Sequence, residues 1–70
     1  MLVDGAHIVE VLHRLNQEGH RVLGLEAFEM ESRDIHPRID LIYDADRSPG
    51  TAAEFSAEWP PDVWVDIVLA

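Results

Sequence analysis

Cysteine is absent from this chain of 70 residues, and so is lysine. Without cysteine the chain has neither a disulfide framework nor a thiolate metal site. The absence of cysteine fits a reducing, cytoplasmic compartment. A single domain of this size buries only about 60% of its unfolded surface, so we expect a thin core. Small scaffolds without disulfides are usually stabilised by a metal or a partner.

Positive charge is scarce. Five arginines stand against 14 acidic residues, which gives a formal net charge of −9. Without a basic footprint the chain is not expected to bind nucleic acid or an anionic membrane surface. A basic protein partner, in contrast, would be attracted at long range. The alternative is that the acidity only keeps a small protein soluble.

Long apolar runs are also missing, because no stretch approaches the roughly 18 residues of a membrane span. Asp4 lies where a signal peptide would carry basic residues and then an apolar stretch. The hydrophobic share of 47% is ordinary for a folded globular domain. We therefore expect one soluble, cytoplasmic domain over residues 1–70.

Helical periodicity predicts a first helix near residues 5–18. Apolar residues recur at three- and four-residue spacing, at Ile8, Val11, Leu12 and Leu15. Asp4 is a suitable N-terminal cap, and Gly19 can adopt the left-handed conformation that ends a helix.

Alternating patterns predict two strands near residues 21–29 and 38–43, paired as a hairpin around a loop over 31–36. In the first strand, Leu23, Leu25 and Ala27 would share one face. Two alternatives stay open: residues 25–31 and residues 38–43 can each also be written as helix.

A second helix is predicted near residues 51–58, since Thr51 and Glu54 have capping-box spacing. Ser48 followed by Pro49 offers an alternative cap. Pro60 and Pro61 end this helix. The run over residues 63–69 has the clearest strand pattern of the chain, with Val63, Val65, Ile67 and Leu69 on one face.

These elements predict an α+β fold in the order helix, strand, strand, helix, strand. Two helices would pack on one face of a three-stranded sheet in a small two-layer domain. The residues expected to be largely buried are Leu12, Leu15, Leu23, Leu25, Phe55, Val65 and Ile67.

No residue pattern indicates catalysis or metal binding. The four histidines lack the spacing of a helical zinc pair. Asp44, Asp46 and Ser48 alternate as calcium ligands do, but Phe55 stands where a calcium loop needs glutamate. No serine or threonine stands in a nucleophile motif. We therefore expect no metal, no cofactor and no enzymatic activity.

Trp64 is the best candidate for a binding residue. It lies on the less apolar face of the last strand, close to Asp62 and Asp66. A tryptophan rimmed by carboxylates is typical of a hot spot for a basic protein. The alternative is that Trp64 covers a second small core with Phe28 and Ile42. The predicted partner-binding residues are Glu26, Glu29, Glu31, Asp34, Asp40, Asp44, Asp62, Trp64 and Asp66.

Four segments carry a family resemblance: residues 22–28, 37–40 and 55–62 and the valine-rich strand at the end. With its amphipathic first helix and its acidity, the chain resembles small immunity proteins of bacterial polymorphic toxin systems. The resemblance implies a non-catalytic protein that binds and neutralises a cognate toxin, often through an acidic face. It assigns no role to individual residues.

Two functions follow as expectations. The first is a binding module, an immunity-like or inhibitor-like protein that presents carboxylates to a basic partner. The second is a structural role, in which the chain forms a homo-dimer or larger assembly through an open sheet edge or an apolar sheet face.

Overall fold

In the computed structural model, which describes residues 1–31 and 33–70, four antiparallel strands and two helices form an α+β domain. The strands and helices are β1 (Leu2–Asp4), α1 (Ile8–Gln17), β2 (Val22–Glu31), β3 (Asp34–Asp44), α2 (Ala52–Ser56) and β4 (Trp64–Leu69). A 3-10 turn (Gly5–His7) joins β1 to α1.

The sheet has the strand order β1-β4-β2-β3. The prediction of three strands, beginning with a helix, was wrong by one strand. β1 precedes the first helix and pairs with β4, with Val3 opposite Val65. Three residues are too few to show the period-two alternation by which a strand is identified from sequence.

The first helix begins later than predicted, because residues 5–7 form the 3-10 turn. Asp4 caps this turn, since its carboxylate accepts a hydrogen bond of 2.9 Å from the amide of Ala6. Gly5 lies so close to β4 that an added Cβ would meet the carbonyl oxygen of Val63 at 2.6 Å. Gly19 follows the end of α1 in the left-handed conformation, with a φ of 83°, as predicted.

The second helix is shorter than predicted and ends at Ser56. Its capping box is confirmed. The Thr51 hydroxyl accepts from the amide of Glu54 at 3.2 Å, and the Glu54 carboxylate accepts from the amide of Thr51 at 3.3 Å. Phe55 lies on this helix with its ring 5.4 Å from that of Tyr43, which connects α2 to β3.

The core lies between the helices and one face of the sheet, which we call the inner face. Most of the predicted core is confirmed; its buried members are Leu12, Leu15, Leu25, Val65 and Ile67. Phe55 is half-buried and packs against them. The prediction for Leu23 was wrong, because its side chain is 38% exposed. The register of β2 with β4 shifts between Val22 and Gly24, and Val22 packs against the core instead.

Residues 38–43 belong to a strand, as predicted, and not to a helix. The predicted loop over 31–36 was too long, because Glu31 still belongs to β2 and Asp34–His36 to β3; Ser32 lies outside the described residues. The hairpin of β2 and β3 continues past the end of β4, whose last pair with β2 joins Phe28 to Trp64. We call this projecting part, residues 29–31 and 34–37, the arm.

Candidate functional site

The face of the sheet opposite the helices, here called the outer face, carries the candidate site. Strand alternation and register place on it side chains from all four strands: Leu2, Asp4, Glu26, Phe28, Ile42, Asp44, Trp64, Asp66 and Val68. Several of its apolar residues are strongly exposed, including Leu2 at 51%, Ile42 at 44% and Val68 at 45%. Asp66 and Glu26 lie between Leu2 and Ile42 in one row of the sheet, so exposed apolar residues and carboxylates alternate across this face.

Trp64 lies at the end of this face next to the arm, directly opposite Phe28 on β2. Its neighbours along the strand, Val63 and Val65, point into the core and are buried, whereas Trp64 is 36% exposed. Phe28 is half-buried and Ile42 exposed, so the three residues proposed as a second core share one face and keep contact with solvent.

Two predicted carboxylates flank Trp64 from the next row of the sheet, where Glu26 lies directly opposite Asp66. Like charges in directly opposed positions destabilise an antiparallel pair. The ammonium group of Met1 lies 3.2 Å from Oδ1 of Asp66. Within residues 1–31 and 33–70, Glu26 takes part in no ion pair. This row is the part of the face most suited to a cation.

Glu29 and Asp40 were predicted to bind a partner, but both bind Arg38. Nη1 of Arg38 lies 2.6 Å from Glu29, and its Nε and Nη2 donate to both oxygens of Asp40 at 3.0 and 2.9 Å. These hydrogen bonds, first that with Asp40, raise the pKa of Arg38 above its ordinary value. The bond from Arg38 lowers the pKa of the Asp40 carboxyl. The three charges thus satisfy one another.

The remaining predicted residues are dispersed. Asp44 reaches the outer face, but its carboxylate accepts the amide of Asp46 at 2.9 Å and closes the turn after β3. Asp34 lies exposed at the tip of the arm, and Asp62 is exposed in the segment before β4. The side chain of Glu31 lies outside the described part of the chain.

Sequence reasoning missed several residues of this face. Asp4 was assigned only as a helix cap, and β1, which carries it beside Trp64, was not predicted. Strict alternation over residues 38–43 would place Ile39 on the same face as Tyr43, yet Tyr43 is buried and Ile39 is 83% exposed. The cause is an irregularity in β3, where residues 38–41 lie opposite the single residue Ala27.

Two hollows on the outer face share Glu26 and Ile42 as lining residues. One, of about 280 Å³, lies at the base of the arm between Phe28 and Ile39; we call it the arm groove. The other, of about 310 Å³, also includes Asp44 and Asp46, and we call it the acidic hollow. The site therefore combines an apolar and an acidic depression side by side.

A third concavity, of about 500 Å³, opens on the helix side of the domain, where His13, His20 and Arg21 contribute to its lining. All three side chains are exposed, and a carboxylate oxygen of Glu18 lies 3.8 Å from Nε2 of His20. Solvent and the high net negative charge both weaken the attraction of such a surface for an anion.

Among the residues that the structure describes, no three His, Asp or Glu side chains are grouped so that they would hold a metal ion. None of the described helices is both long and apolar enough to cross a membrane. Comparisons with protein-family models, with curated proteins and with solved structures gave no match.

Proposed function

We propose that this chain is a non-catalytic protein-binding module whose outer face binds a basic partner protein. The observation that carries the proposal is the exposed Trp64 beside the opposed carboxylates of Glu26 and Asp66. The resemblance to immunity proteins suggests the kind of partner, a toxin with a basic surface that this chain would neutralise.

The opposed carboxylates support a cationic partner for an energetic reason. Glu26 and Asp66 lie directly opposite each other, and like charges so placed destabilise the free protein, although the ammonium group of Met1 also lies 3.2 Å from Asp66. A lysine or arginine placed between them would convert this repulsion into attraction. Such a pair is destabilising on its own and favourable in a complex, which is what a binding face for a basic protein requires.

The aromatic residues support the same proposal. Trp64 and Phe28 lie side by side with apolar surface exposed, and a partner that covers them removes that surface from water. Tryptophan is the residue type most enriched among binding hot spots. We therefore assign affinity mainly to Trp64 and Phe28, and encounter with the partner mainly to the carboxylates.

Assembly with further copies of the same chain is the second candidate, and it is favoured by the exposed apolar residues of the outer face. The two edge strands, β1 and β3, are poorly suited to pairing with a second copy. β1 is only three residues long, and β3 is irregular at residues 38–41, where Arg38 and Asp40 add charge. Short, irregular and charged edges resist pairing with another sheet. Two copies joined through the outer face would bring Glu26 and Asp66 of both together.

A photocrosslinking amino acid in place of Trp64 tests the proposal in cells of the producing organism. We expect a light-dependent adduct with one protein of basic isoelectric point. The matched control carries the same crosslinker in place of Gln17, which is exposed on α1, away from the outer face.

The captured partner is then purified and its binding measured. Charge reversal with Glu26→Lys and Asp66→Lys should abolish the adduct, and Trp64→Ala should mainly speed dissociation. An adduct formed equally from position 17, or one that survives charge reversal, would show that the outer face is not the binding site. A crosslinked homo-dimer would favour assembly instead.

A further inference from the structure

The arm groove owes its shape to the irregularity of β3. Residues 38–41 span the distance that one residue, Ala27, spans on β2, so the strand loops away from the sheet. Arg38 fixes this segment through its bonds to Glu29 and Asp40. Ile39, next to this clamp, stands at the rim of the groove with 83% of its surface exposed.

Apart from Glu26 and Arg38, the residues that line the groove are apolar. Its apolar members come from the arm, from the irregular segment and from the sheet: Ala27, Phe28, Ile35, Pro37, Ile39 and Ile42. The carboxylate of Glu26 stands between this groove and the acidic hollow. An apolar side chain and a basic side chain of one ligand would therefore find matching sites next to each other.

We propose that the arm groove receives one bulky aliphatic or aromatic side chain of the basic partner. A lysine or arginine close to that side chain in the same partner segment would bind at Glu26 and the acidic hollow. This inference rests on the proposed function and names the chemistry of the segment that would be recognised. Charge complementarity decides the occupant: the acids at Glu26, Asp44 and Asp46 disfavour a second acidic copy and favour a basic segment.

Short capped peptides test the inference without a known partner. The probes are Gly-Lys-Trp-Lys-Gly, the same peptide with serine in place of tryptophan, and a third with glutamate in place of both lysines. Binding is followed by amide and methyl chemical shifts of the full chain. Burying the tryptophan should make the first peptide bind about tenfold more tightly than the second. The largest shifts should occur at Ile35, Ile39 and Ile42.

Ile39→Ser is the informative variant, because so exposed a side chain contributes little to folding. It should reduce the preference for tryptophan by about threefold or more. Gln17→Ser, at an exposed position on α1 away from the outer face, is the control and should leave the preference unchanged.

The outcomes separate the two proposals. Equal affinity for the tryptophan and serine peptides, with both preferred over the glutamate peptide, overturns the arm groove and leaves the acidic face standing. Equal affinity for the lysine and glutamate peptides contradicts the proposed function itself. Groove signals that shift with protein concentration in the absence of peptide would identify a second copy as the occupant and overturn the assignment to a basic partner.

Discussion

Glu26 and Asp66 lie directly opposite each other on β2 and β4, with both side chains on the outer face. In the sequence the end of β2, all of β3 and α2 lie between them, and the sheet brings them into one row. Beside them lies Trp64, opposite Phe28. This pair of like charges next to exposed aromatic surface is the feature on which the proposed binding function rests.

Glu26→Gln should stabilise the free protein, because it removes the repulsion from Asp66. We expect the free energy of unfolding in urea to rise by at most about 1 kcal/mol, the upper range for an exposed pair of charges. Glu58→Gln is the control, since it removes one negative charge at an exposed position outside the sheet. If both variants gain equally, the effect comes from net charge, and the opposed pair contributes nothing specific.

Leu12→Ala should destabilise the domain by about 2–5 kcal/mol, enough to unfold a domain of this size. Leu12 is 3% exposed in the core, whereas Leu23, of the same residue type, is 38% exposed because of the register shift in β2. Leu23→Ala should therefore cost much less. Thermal or urea unfolding of both variants checks this difference, and equal losses would contradict the observed register.

The sequence predicted those parts of the fold where a long periodic pattern meets a clear boundary. The first helix has an uninterrupted apolar stripe before Gly19, and the last strand alternates without a break. β1 has only three residues, so its strand character depends on pairing with β4, which no local pattern records.

The sequence predicted less of the candidate site than of the fold. Strand alternation predicted Trp64 and Asp66 on one face of the last strand, since β4 is uninterrupted, but the pairing that places Glu26 opposite Asp66 was not predicted. Alternation failed at Ile39, because residues 38–41 lie opposite the single residue Ala27, and Arg38 in this segment is bonded to Glu29 and Asp40. A partner nine residues away on the neighbouring strand cannot be read from the period of one strand.

The hydrogen bonds of Arg38 to Glu29 and Asp40, here called the clamp, should contribute to stability in a pH-dependent way. The hydrogen bonds from Arg38 lower the pKa of Asp40 in the folded protein, below an ordinary value of about 3.9. The contribution of this bond is therefore present above that value and is lost as the pH falls through the folded pKa. Carboxyl carbon shifts should give Asp40 a midpoint below about 3.9, and Arg38→Gln should return it to that value.

The same variant tests the role of the clamp in shaping the arm. Arg38→Gln should speed amide hydrogen exchange at Ile39 and Leu41 while leaving exchange in α1 unchanged. Arg47→Gln, an exposed arginine in the turn after β3, is the control. Unchanged exchange in the irregular segment would show that Arg38 does not hold it in place.

The rate constant for association with the purified partner, once crosslinking has identified it, tests the central claim most directly. It should be measured by stopped flow at ionic strengths of about 0.01 M and 1 M, where the Debye length falls from about 30 Å to 3 Å. We expect the rate constant to fall by one to three powers of ten for the parent protein, and by clearly less for the double variant Glu26→Gln, Asp66→Asn. A rate constant that is indifferent to salt, or a double variant that behaves as the parent does, would contradict the account.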